Sequence, residues 1–221
     1  MEAASWGRLG SVRPPAPPYR NEGPHALWHV SEEPSIRRFE PRLATRSGLT
    51  KRADGRMVAT PMSDTDAAVV WATDTRHLPL FWFPRQCPRG TYWARPDTTD
   101  ADIERALDGD RTRRVHAIEA AWLDRVRSAR VYAYSLPEGT FRPHASVGGY
   151  WLSTTAVEPL EVVPLGDLLA RHADAGIELR IVPSLWPLWD RVVGSTLEFS
   201  GIRLANAAPR DQRARWSTPP T

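Results

Sequence analysis

The chain has 221 residues with a formal net charge of +3, and a length of this order suits one domain with extensions. With 41% hydrophobic residues and ten tryptophans it can bury a sizeable core, while its single cysteine, Cys87, excludes an internal disulfide and no paired Cys/His spacing predicts a metal site. The basic residues are scattered arginines around one lysine, Lys51, so nucleic-acid binding is not expected; no apolar run of membrane-spanning or signal-peptide length is present, and the cytoplasm is the default location.

Residues 1–24 carry five prolines and little apolar periodicity, which predicts a flexible arm, followed by one folded domain over 25–206. Residues 26–31, ALWHVS, form a short run of strand formers closed by Glu32-Glu33-Pro34. Residues 42–65 are polar and aperiodic and predict a long loop. Residues 67–73, AAVVWAT, give the clearest core strand, after which two prolines stiffen the turn FPRQCPRG at 83–90 and lead into a strand near Thr91.

From Thr98 to about Arg127 the pattern predicts helix, divided near Gly109, with Val115, Ile118, Trp122 and Val126 as one apolar stripe. Strands are then expected at 130–135, 149–153, 160–163 and 177–182, a helix at 167–173, a proline-bearing helix at 184–193, and a closing strand at 196–204. Residues 207–221 predict a flexible tail. The order gives an α+β fold, a single domain with a mixed, mainly antiparallel sheet packed by a few helices.

No phosphate-binding loop, dinucleotide fingerprint, metalloprotease helix or nucleophile elbow is present, which removes the common nucleotide hydrolases, dehydrogenases and α/β-hydrolases. The candidates are therefore pairs. His29 and Ser31 share one face of a strand because side chains alternate. Arg85 and Arg89 sit on one stiff turn and point toward an anion, and Cys87 between them is a candidate nucleophile if exposed.

The segment LWHVS at 27–31, followed some forty residues later by VWATD at 70–74, resembles two strands of the ADP-ribosyltransferases of the His-Tyr-Glu type. The resemblance implies an ADP-ribosyltransferase-like fold and NAD as cofactor. It implies that His29 and Ser31 hold the ribose, and that Trp71 and Thr73 stand for the family's aromatic-x-Thr strand. Trp71 replaces the usual tyrosine, keeping the stacking surface and losing the hydroxyl. Glu198 would serve as the late-strand glutamate, with Glu158, Glu161 and Glu178 also near strands. The wager is that the His29 imidazole and the Trp71 indole face one shared hollow.

Over residues 27–206 the chain also resembles an uncharacterised bacterial domain family, through HVSEEP at 29–34, FPRQCPR at 83–89 and STLEFS at 195–200. That resemblance brings no activity. The rival expectation is a non-enzymatic domain that binds a protein or small ligand through the arginine-bearing turn and its tryptophans.

Overall fold

The computed structural model describes residues 27–43, 47–51, 57–61, 67–145 and 147–210, with the backbone alone described for 47–51 and 57–61. The arm expected at 1–24 lies outside them, as does the tail beyond residue 210.

Twelve strands are described: β1 (Leu27–Ser31), β2 (Ser47–Lys51), β3 (Met57–Pro61), β4 (Val70–Asp74), β5 (Arg89–Trp93), β6 (Arg114–Glu119), β7 (Tyr132–Leu136), β8 (Arg142–Pro143), β9 (Tyr150–Ser153), β10 (Glu161–Pro164), β11 (Ile177–Val182) and β12 (Glu198–Ile202). Four α-helices join them, α1 (Asp100–Leu107), α2 (Leu123–Ser128), α3 (Leu168–Asp174) and α4 (Trp186–Val193). A six-stranded sheet has the order β10-β7-β1-β4-β9-β8, and a four-stranded sheet the order β11-β6-β5-β12. Every pairing is antiparallel except β11 with β6. The fold is thus α+β with mixed, mainly antiparallel sheets. Among the described residues no helix is long and apolar enough to cross a membrane.

The two sheets meet over one apolar layer. Trp28 and Ala133 enter it from the six-stranded sheet and Ile118 and Ile177 from the four-stranded one, with Trp82, Phe83, Val126 and Leu168 between. Each large side chain so buried contributes roughly 1.5–3 kcal/mol. The far face of the four-stranded sheet, through Tyr92, Val115 and Ala117, packs under α1 and α4. The far face of the six-stranded sheet, through Leu27, Val70, Ala72 and Tyr134, is covered by Phe39 and Val157.

The sandwich position of β6 explains the one large misreading of the sequence. All six residues of RVHAIE are buried, with Val115 and Ala117 toward the helices and His116 and Ile118 toward the other sheet. A strand buried on both faces has no alternation, so its apolar residues mimic a helical stripe. Helix exists only on either side of it, in α1 and α2. Helix α1 begins at Thr99, whose hydroxyl accepts from the Asp102 amide, and stops at the left-handed Asp108.

Two other expectations shift. The segment expected as a long loop at 42–65 carries the hairpin β2–β3 and an isolated pairing of Arg42 with Val69. The first described residues of the tail expected from 207 are held, since the Ala208 amide donates to Glu119 and the Ala208 carbonyl accepts from the Trp186 indole at 2.7 Å.

Candidate functional site

Strand β1 pairs with β4 only at Leu27↔Asp74 and Trp28↔Thr73. Beyond that point the His29 imidazole fills the gap, Nδ1 donating to the Trp71 carbonyl at 2.8 Å. The register decides which side each ring occupies. Trp71 shares the face of Thr73 and Trp28, turned toward the four-stranded sheet, while His29 shares the face of Leu27, where its ring lies 4.6 Å from Phe39. The two rings expected in one hollow therefore stand on opposite faces of the sheet.

The other predicted residues divide in the same way. Ser31 follows His29, and its hydroxyl accepts from the Glu33 amide as a turn cap. Burial holds the His29 ring below its ordinary pKa; the Trp71 carbonyl opposes this, and the charges of Arg85 and Arg42 reinforce it. Arg85 is exposed on its turn, with its amide bonded to Glu32. Arg89 is not a surface clamp. It is 2% exposed, donates to the carbonyls of Leu80 and Cys87, and lies over the Phe83 ring. Burial brings its guanidinium down to about 10. Thr73 is buried, its hydroxyl donating to the Gly149 carbonyl. Glu198 pairs with Trp93 in the four-stranded sheet and so belongs to that sheet's inward face; its carboxylate lies 3.9 Å from Arg95.

Cys87 is sealed. Its Sγ donates to the Pro88 carbonyl, and burial pushes the thiol up to about 12 against the opposing charge of Arg89. Native protein at pH 8 is expected to react with iodoacetamide roughly a thousandfold more slowly than after unfolding in guanidinium, in proportion to its thiolate. Equal rates by mass spectrometry would contradict the burial.

What the inward faces do bring together is aromatic. The Trp71 ring stacks 6.0 Å from His144 and meets Tyr150 edge-on at 5.7 Å, and Tyr150 in turn meets Phe81 at 5.9 Å. Beside them, at the end of β4, His77 lies 6.0 Å from Trp93, whose face carries the Arg114 guanidinium at 4.5 Å. The backbone reason is a close approach. Gly149 bonds its carbonyl to the Asp74 amide and runs against the His77 ring, where a Cβ would collide with Nδ1.

Besides His144, His77 is an imidazole on the inward side, and the sequence did not single it out. Its Nδ1 lies 2.7 Å from Asp74 Oδ1, which also accepts from the His77 amide. Burial alone would raise the Asp74 carboxyl, but the His77 contacts outweigh it and hold it below its ordinary value. The arrangement fixes the tautomer with the proton on Nδ1 and leaves Nε2 with no hydrogen-bond partner among the described residues. The signal was legible as Asp-x-x-His directly after a core strand. By contrast, a surface depression of about 580 Å³ lined by Asp108, Asp110, Arg113 and Glu178 holds no ring or imidazole, and Arg113 already pairs with Asp108 and Glu178. Among the described residues no cluster of three metal-ligating side chains occurs.

These features define a two-sheet α+β domain whose inward-facing side chains form an aromatic margin around an oriented Asp–His pair. The chain belongs to the family of unknown function DUF6886, whose model matches residues 28–207. No curated protein and no solved structure matches it.

Proposed function

We propose that the domain binds a small molecule of the nucleotide class at the margin between its two sheets, and that His77, oriented by Asp74, is the group that exchanges a proton or hydrogen bond with it. The observation that carries this reading is the run of half-buried Trp71, Tyr150 and Phe81, beside which Gly149 brings the His77 imidazole with Trp93 against it. Aromatic faces suit a planar base, and each stacked base is worth about 1–3 kcal/mol. A neutral Nε2 accepts a hydroxyl proton, and the Asp74 carboxylate stabilises the imidazolium that results. Glu198, on the Trp93 face, is the carboxylate available to a ribose or to developing positive charge. The likeness of β4 to the aromatic-x-Thr strand of ADP-ribosyltransferases supports NAD as one member of the class. In this reading His77 takes the place expected for His29.

Titration of tryptophan fluorescence with NAD, ADP and AMP tests it. Saturable quenching is expected in the wild type, with Kd weakened about tenfold in Trp71→Ala, the low end of a lost stacking contact. Unchanged fluorescence and melting temperature at millimolar concentrations of all three would refute nucleotide binding.

A further inference from the structure

Deeper between the sheets lies a basic centre that the proposed ligand reading does not use. Its middle is a histidine pair, His116 Nδ1 to His172 Nε2 at 3.1 Å, both rings fully buried, with His172 Nδ1 donating to the Leu168 carbonyl at 2.7 Å. The second nitrogen of His116 accepts from Arg114 Nε at 3.2 Å. Arg89 reaches the pair through Phe83, whose ring is 4.9 Å from His172. Arg171 reaches it through Trp82, lying 5.5 Å over an indole that is itself 5.7 Å from His172.

Three guanidiniums thus surround two neutral imidazoles in the interior. Arg89 and Arg171 are 2% and 5% exposed, and among the described residues neither meets a carboxylate at salt-bridge distance; their acceptors are the carbonyls of Leu80, Cys87 and Leu165. The exposed Asp174 acts on Arg171 from a distance, and buried Glu119 spends its oxygens on the amides of Leu185 and Ala208. In this centre Arg171 Nη1 and Trp82 Nε1 have no acceptor among the described residues. Buried charges are ordinarily paired, and a buried donor left unmade costs about 1–3 kcal/mol.

We propose that this centre is a binding site for a small inorganic anion, of the chloride or phosphate kind, held by Arg171 and Trp82 and balanced by the charge of Arg89. The anion supplies the acceptor both orphan donors lack and the negative charge the guanidiniums lack. The carbonyls that already bind Arg89 and Arg171 fix the guanidiniums before the ion enters. Because the ion sits behind the aromatic margin, the proposal stands independently of nucleotide binding.

The test is thermal unfolding of the full chain in potassium chloride, potassium phosphate and potassium gluconate at matched ionic strength. A saturable rise in Tm is expected with chloride or phosphate over gluconate, by roughly 5 °C at a hundredfold excess over Kd. The arm that rises names the ion. Trp82→Phe, which keeps the ring and removes one donor, is expected to shift the saturation midpoint to higher concentration, and Arg171→Met to abolish the rise. Identical Tm values in the three salts overturn the proposal, as does an unchanged midpoint in Trp82→Phe. Trp71→Ala is expected to retain the full rise, so loss of nucleotide binding and loss of the anion effect read out separately.

Discussion

Between pH 6.5 and pH 4 the folded protein is expected to lose about 3 kcal/mol of stability through His172 alone. Burial holds this imidazole at about 4, with the charges of Arg114, Arg171 and Arg89 acting in the same direction against the Leu168 carbonyl. An unfolded histidine titrates near 6.5, and each unit of difference is worth about 1.4 kcal/mol. Above pH 6.5 both states are neutral at this site and it contributes no pH dependence. As pH falls below 6.5 the unfolded chain takes up a proton that the folded chain refuses, so stability falls until the folded ring itself titrates near 4. His116, held well below its ordinary value by burial and by Arg114, adds to the same loss. Urea unfolding across this range measures it, with His172→Gln as the comparison. The variant is expected to be less stable at pH 8, having lost contacts, and to show a shallower decline toward pH 4. Parallel curves for the two proteins would mean that His172 does not titrate as described.

Gly149→Ala is expected to cost about 3 kcal/mol, a large effect for one methyl group. Gly149 has φ of 80°, a left-handed backbone that costs an alanine about 1–2 kcal/mol. Its new Cβ would also overlap His77, forcing the ring away from Asp74 and losing a charge-assisted hydrogen bond worth about 1.5–3 kcal/mol. The two penalties are separable. In His77→Ala the obstructing ring is gone, so adding Gly149→Ala should cost only the backbone part, and the double variant should be more stable than the sum of the singles predicts. Full additivity in thermal unfolding would place Gly149 and His77 apart. The same substitution also tests the candidate site, because it moves the imidazole without touching Trp71.

Much of the architecture was legible from local signals. The strand at residues 27–31, the core strand ending at Asp74, the strand at 177–182 and the helix opened by Asp167 all lie where composition and capping place them. Those elements either have a solvent-facing side or carry their own boundary residues. Strand β6 failed because its neighbours are supplied from both sides by distant chain, so nothing in its own order of residues marks it. The hairpin β2–β3 was missed for the opposite reason: few apolar residues mark it as a strand pair.

The candidate site divides along the same line. The residue types were visible, since tryptophans near a strand, arginines on a stiff turn and an Asp-x-x-His after β4 can all be read directly. Their assignment was not. Arg85 and Arg89 are four residues apart on one turn, yet one is exposed and the other is among the most buried charges of the described residues. His29 and Trp71 touch through a carbonyl and still face away from each other. The sequence by itself determined the α+β class and most strand positions, because propensity, alternation and capping act over a few residues. Only the tertiary structure decided which imidazoles share a side with Trp71 and which guanidiniums lose their water. Those outcomes follow from cross-strand register and from packing between sheets, and both join residues too distant in the chain for any local pattern to record.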